Sequence, residues 1–130
     1  LEEGIVIGAG MALVNATKEL DQAIGAEKDI NVRFGLETLK QAVLRPAKQV
    51  IENTGENADV IIERVCNSNK SYMGYNAASG RITNLMAEGV IDPHKVVRCA
   101  LEYAVSVMGL FLITSAVVAE EKDEKNEKRN

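Results

Sequence analysis

One histidine, two cysteines, two prolines and no tryptophan occur in this 130-residue chain, and each scarcity removes a class of function. With His94 the lone histidine, no ligand set for a metal can be assembled around it, and none is expected. Cys66 and Cys99 lie 33 residues apart, which excludes a disulfide-dense secreted scaffold and reads as two buried, reduced thiols in an intracellular compartment. Positive charge is not in excess either. Fifteen Lys and Arg against nineteen Asp and Glu give a net charge of −4, with the basic residues scattered. The electropositive stripe that a phosphate backbone requires is missing, so nucleic acid is not expected as a partner. Residues 103–119 form an uncharged run of seventeen, short for a membrane span and diluted by Ser106, Gly109, Thr114 and Ser115, so a buried or interfacial segment is expected and no membrane.

What is present is globular in type. Hydrophobic residues make up 46% of the chain, and a domain of this size buries about two-thirds of its unfolded surface without covalent staples. The chain begins Leu1-Glu2-Glu3-Gly4, with neither an initiator Met nor a basic leader, and is expected to be an excised or processed piece. Residues 120–130 hold five acids and four bases and no apolar side chain, so a charged, disordered tail is expected there.

The spacing of apolar residues is mainly helical. Met11, Leu13, Val14 and Leu20 predict a helix over 11–20 that ends before Gly25. Ile30, Phe34, Leu39 and Val43 predict another over 29–44, capped by Asp29 or Asn31, with Pro46 restarting a separate helix to Asn53 that Thr54-Gly55 stops. A third short helix is expected over 58–66. Strand content is minor: a brief strand over 74–77, a hairpin tip at Ser79-Gly80-Arg81, and a terminal strand over 115–119. Ile91-Asp92-Pro93 predicts a helix start with Asp92 as N-cap and Pro93 in the first turn. The second half of that helix is apolar all round and is expected to be buried.

Three short motifs have the chemistry of a ligand site, although each alone has a plainer reading. Gly4-Ile5-Val6-Ile7-Gly8-Ala9-Gly10 places glycines between an apolar stretch and a helix, as a dinucleotide fold does. The third glycine of that fingerprint is absent, Leu13 and Val14 occupy its region, and no alternating strands follow, so a flexible helix entry is the plainer reading. Tyr75-Asn76-Ala77-Ala78 sets two small residues after an amide, which suits backbone approach to a flat ligand but is also an ordinary turn. Asp92 could accept hydrogen bonds from a sugar diol as readily as it could cap a helix. His94, just inside that helix start, is expected to be exposed and carries no catalytic role, since no ordered nucleophile and acid accompany it.

Taken in order, Glu2-Glu3-Gly4-Ile5-Val6, Gly8-Ala9-Gly10, Gly74-Tyr75-Asn76-Ala77-Ala78 and Gly89-Val90-Ile91-Asp92-Pro93-His94-Lys95-Val96-Val97-Arg98 resemble the C-terminal part of the Group I chaperonins, the GroEL family, over residues 1–119. Val96-Val97-Arg98-Cys99-Ala100-Leu101-Glu102 looks more like plastid-type members than mitochondrial ones. The resemblance implies a mainly α fold: half of the helical chaperonin equatorial domain, with a short β-hairpin and a C-terminal strand. It implies ATP or ADP with Mg²⁺ as cofactor, with Gly8 and Ala9 against the nucleotide, Asn76, Ala77 and Ala78 bordering adenine, and Asp92 on the ribose hydroxyls. Ala9 departs from the family's run of three glycines, and its Cβ narrows that approach.

The same resemblance locates the phosphate loop Gly-Asp-Gly-Thr-Thr, the metal-ligating Asp and the water-activating Asp in parts of the family outside residues 1–130. Phosphoryl transfer needs all three kinds of group, so no hydrolysis is expected from this segment alone. For the full-length protein the resemblance implies an ATP-driven folding chamber built of identical subunits in heptameric rings, with a co-chaperonin and unfolded clients as partners, in a plastid or mitochondrial matrix or else the bacterial cytoplasm. The family's terminal Gly-Gly-Met repeats are replaced here by the charged tail. Lys48 keeps a base that the family uses between rings, but Asn57 stands where its acidic partner would follow Gly55-Glu56. The competing reading is a non-enzymatic helical interaction module that keeps the chaperonin shape.

Overall fold

The computed structural model describes residues 2–116 and residue 118. Two compact units divide the chain, Leu1–Arg98 and Cys99–Asn130. Within the first lie strand β1 (Ile5–Ile7), helices α1 (Met11–Ala26), α2 (Ile30–Glu52) and α3 (Ala58–Asn67), and strands β2 (Met73–Asn76), β3 (Arg81–Asn84) and β4 (Ile91–Pro93). Helix α4 (His94–Leu112) starts there and runs on into the second unit. Strands β2 and β3 form an antiparallel hairpin, while β1 pairs antiparallel with β4 in the register Ile5↔Pro93, Val6↔Asp92, Ile7↔Ile91.

Local chemistry explains most of the helix boundaries. Asp29 caps α2 by accepting from the Asn31 amide at 2.8 Å, and Asn57 caps α3 by accepting from the Val60 amide at 3.2 Å. Asp59 in the first turn of α3 and Arg64 in its last turn both suit the helix dipole. Helix α1 does not stop before Gly25 but continues to Ala26. A glycine costs a helix only about 1 kcal/mol against alanine. The stop comes instead from Glu27, whose extended backbone leaves the helix while its carboxylate accepts from the Lys28 and Asp29 amides at 2.7 and 2.8 Å.

Pro46 does not restart a helix: α2 runs unbroken through it. Proline removes the N–H that would bond the carbonyl of Ala42. Both Ala42 and Pro46 are on the exposed side of the helix, where water can satisfy that carbonyl, while Val43, Leu44, Ala47 and Ile51 hold the other side in the core.

The core sits where the start of α1, the second half of α2, α3 and β2 meet. Met11, Val14, Ala47, Ile51, Tyr75 and Leu85 are its most completely buried members, with Ile61, Ile62 and Val65 from α3 beside them. Two glycines set its tightness. A Cβ on Gly10 would stand 2.7 Å from the backbone nitrogen of Ala47, and one on Gly74 would stand 2.5 Å from a Leu85 methyl and 2.9 Å from Met11 Cγ. Toward the other end of the α1–α2 pair the core gives out, leaving Ile30 and Phe34 exposed and a Lys40–Asp21 ion pair at 2.5 Å joining the helices.

Four expectations about the later part of the chain are corrected. Asp92 is not a helix N-cap, because pairing with β1 holds residues 91–93 as a strand and the His94 amide donates to the Gly4 carbonyl at 3.1 Å. The second half of α4 is not buried: Val105, Met108, Leu110 and Leu112 are all at least half exposed. Apolar periodicity reports that a face is suited to burial, not that its cover lies in the same segment. Cys66 and Cys99 are free thiols but only half-buried. Of the expected terminal strand, Ser115 and Ala116 take no strand structure, while residues 117 and 119, like the expected tail over 120–130, lie outside the described residues.

Candidate functional site

The turn between β1 and α1 has an unusual backbone. Ala9 and Gly10 both have left-handed φ, 57° and 73°, and Gly10 caps α1 with no side-chain hydrogen bond and no acid in the first turn. Neither the N-cap nor the first turn of α1 supplies a side chain to compensate the positive end of its dipole. Gly8, buried, donates its amide to the Val90 carbonyl at 2.9 Å. Because β1 and β4 are paired, the end of β1 lies against Asp92: a Cβ on Gly8 would stand 3.4 Å from Asp92 Oδ2 and 3.3 Å from the Ile91 nitrogen. Among the described residues, the Asp92 carboxylate takes no hydrogen bond or ion pair. Gly8 and Asp92, 84 residues apart in sequence, are thus neighbours, with Ala9 next to them.

Asn76, Ala77 and Ala78 form the start of the β2–β3 turn. Asn76 Oδ1 accepts from the Ala78 amide at 2.9 Å, which fixes the path of the two alanines, and Ala77 packs on the core. The hairpin is seated on the start of α1 through Gly74, whose missing side chain admits Met11 and Leu85. Two residues that the sequence did not single out tie these pieces together. Glu88 accepts from Asn76 Nδ2 and, at 2.8 Å, from Thr83 Oγ1. Glu3 receives Arg98 in a two-pronged contact, Nε at 3.0 Å and a terminal nitrogen at 2.6 Å, with His94 Nδ1 3.2 Å away. Beside it Lys95 pairs with Glu2. The opposed signs of Glu2-Glu3 and His94-Lys95-Arg98 were a readable signal for that clasp; nothing in the sequence marked Glu88.

The Arg98 guanidinium bonded to Glu3, with His94 adding to it, holds the Glu3 carboxyl below its usual range. A carboxyl whose pKa is lower folded than unfolded binds fewer protons when folded. Its contribution to stability is complete above the usual value of 4.5 and fades as pH falls through the lowered folded value. Glu3→Gln should therefore flatten the acid limb of the stability curve, read by urea unfolding between pH 3 and pH 7 (roughly the carboxylate range and above). An acid limb identical in variant and wild type would show that the clasp carries no linkage.

Lys48 pairs with Asp59 of α3 at 2.6 Å, and Asn57 is spent on capping that helix. The cleft between the far halves of α1 and α2, lined by Asp21, Ile24, Phe34 and Lys40, contains none of the expected site residues.

A model of the TCP-1/cpn60 chaperonin family matches residues 1–122. The chain belongs to that family. It is 41% identical over 123 residues to the RuBisCO large subunit-binding protein subunit beta, chloroplastic, of Pisum sativum, covering 95% of this chain and 21% of that protein. It is 40% identical over 123 residues to chaperonin 60 subunit beta 1, chloroplastic, of Arabidopsis thaliana, covering 95% of this chain and 20% of that protein. This chaperonin segment thus spans about a fifth of the length of the curated relatives it matches. Its fold matches an open-state monomer of a group II chaperonin from Methanococcoides burtonii with a TM-score of 0.78 over 85% of this chain and 28% of that one, at 18% identity. The mainly helical fold with a short hairpin is that of a chaperonin equatorial segment.

Proposed function

We propose that this segment supplies the base-and-sugar side of a nucleotide site in a plastid chaperonin subunit, and that the full-length subunit works as an ATP-dependent folding machine in rings. The observation that carries the proposal is the juxtaposition of Gly8 with the uncommitted carboxylate of Asp92 at the uncapped start of α1. Small residues admit backbone to a flat base and its sugar, and a carboxylate with free lone pairs accepts from a diol. The residues fit the group in this respect: Asp92 would hold the ribose hydroxyls, Asn76, Ala77 and Ala78 would border adenine, and Gly8 and Ala9 would lie along the nucleotide. ATP supplies the phosphoanhydride whose hydrolysis drives the cycle; its Mg²⁺ ligands lie outside this chain. What this segment does is orient, and it releases no phosphate by itself. The plastid assignment follows the chloroplastic names of the relatives, which lend nothing to a bacterial cytoplasm. Exposed apolar residues on α4 are suited to contacts with the rest of the subunit or its ring neighbours.

Calorimetry of ATP binding to the full-length subunit tests this reading. A hydrogen bond to a charged group is worth about 1.5–3 kcal/mol, so Asp92→Asn, which keeps the shape, should weaken ATP about tenfold or more. An analogue lacking both ribose hydroxyls should bind wild type and Asp92→Asn alike. Equal ATP affinity for the two proteins would remove the ribose role and with it the proposed site.

A further inference from the structure

We propose that Glu88 is a positioning residue of the nucleotide site, holding the amide of Asn76 and so tying the loop that borders the base to the segment that carries Asp92. This rests on the reading above. Asn76 ends β2, and its side chain is pinned at both atoms: Oδ1 by the Ala78 amide and Nδ2 by Glu88. A terminal amide rotates freely unless both ends are held, and its two ends present opposite chemistry to a base edge. Glu88 also accepts from Thr83 Oγ1 on the neighbouring strand, so its carboxylate bridges β2 and β3.

Glu88 belongs to a tight turn. Its amide donates to the Asn84 carbonyl at 3.1 Å, and the Val90 amide closes back on the Leu85 carbonyl at 2.9 Å. Two residues on, the Val90 carbonyl accepts from Gly8, and two further on stands Asp92. One short segment therefore contacts the hairpin through Glu88, the β1–α1 turn through Val90, and the proposed sugar ligand through its own continuation. The turn is exposed at Met86, Ala87, Glu88 and Gly89, so burial does not dictate an acid there. Hydrogen bonds from Asn76 and then Thr83 hold the Glu88 carboxyl below its usual range, which keeps it an acceptor throughout the neutral pH region.

The test uses the full-length subunit and two probes, ATP and inorganic tripolyphosphate, by calorimetry. Glu88→Ala should weaken ATP about three- to tenfold, the scale of one net hydrogen bond, and leave tripolyphosphate unchanged. Adding Glu88→Ala to Asn76→Ala should cost nothing further, because Glu88 acts through Asn76. Glu88→Gln, whose amide oxygen still accepts one bond, should recover most of the loss. Glu88→Asp keeps the charge on an exposed turn but withdraws it by one methylene, and guards against a folding defect in the alanine variant; it too should weaken ATP. Unchanged ATP affinity in Glu88→Asp and Glu88→Ala, with Asp92→Asn still weakened, overturns the role of Glu88 and leaves the site standing. Equal losses for ATP and tripolyphosphate also overturn it, since general loosening would then be the cause. If Asp92→Asn is unchanged as well, the site reading fails and this inference goes with it.

Discussion

Gly10→Ala should destabilise the chain by about 2–6 kcal/mol, because two independent costs fall on one methyl group. The first is conformational: φ at Gly10 is 73°, a region where an L side chain crowds its own backbone. The second is steric. The added Cβ would stand 2.7 Å from Ala47 N and 3.0 Å from Ala47 Cα, atoms of a helix backbone that cannot swing aside as a flexible side chain can. Ala47 is itself fully buried, so α2 can move away from α1 only by opening the core. Neighbouring positions supply internal controls. Ala9 is left-handed at 57° without being a glycine, so Ala9→Gly should stabilise by about 0.5–1 kcal/mol, relief of backbone strain less the added entropy of the unfolded chain. Gly25→Ala, with open space around its Cβ in the last turn of α1, should also stabilise, by about 0.4–1 kcal/mol. Urea unfolding of the three variants gives the comparison. A Gly10→Ala variant as stable as wild type would mean that α1 and α2 do not approach closely at Ala47.

The contrast between these glycines shows what a sequence can and cannot announce. Caps and stops within a few residues were legible: Asp29 ahead of α2, Thr54-Gly55 after it, the hairpin at Ser79-Gly80-Arg81. Gly25 and Pro46 misled because helix breakers are weighed by local propensity, while the outcome is decided by what the rest of the helix buries. Asp92-Pro93 misled for the opposite reason. As a local signal it is a helix start, but β1, whose Val6 lies 86 residues upstream of its partner Asp92, holds it as strand.

The proposed site divides along the same line. Asn76 with its two alanines is recognisable as a turn from its own residue types, and the Ala78 contact with Asn76 Oδ1 is a local one. The adjacency of Gly8 and Asp92 comes from strand pairing, and only the family resemblance linked the two motifs beforehand. Glu88 reaches Asn76 over 12 residues and Glu3 reaches Arg98 over 95. Neither separation leaves a periodic trace, because each depends on where a turn or a strand end delivers one carboxylate. The apolar run of α4 was legible as a surface requiring cover and not as one that this segment leaves exposed.

Tyr75→Ala should cost about 3–5 kcal/mol, the range for emptying a buried aromatic site, whereas Tyr75→Phe should cost only about 0.5–1.5. Tyr75 is 1% exposed and belongs to the core cluster, one residue before Asn76. Its hydroxyl lies 2.9 Å from Thr54 Oγ1, and the Thr54 hydroxyl spends its single proton on the Ile51 carbonyl at 2.7 Å. Tyr75 must therefore be the donor. Removing its hydroxyl leaves Thr54 still bonded to Ile51, so the phenylalanine variant orphans no donor and loses one net hydrogen bond. Removing the ring empties a space in the buried core cluster, and β2 loses the anchor that seats the Asn76 turn. Denaturant unfolding of the two variants separates ring from hydroxyl. Near-equal losses would place the anchoring in the hydroxyl, and an alanine variant within about 1 kcal/mol of wild type would show that the core collapses around the gap far more readily than its packing implies.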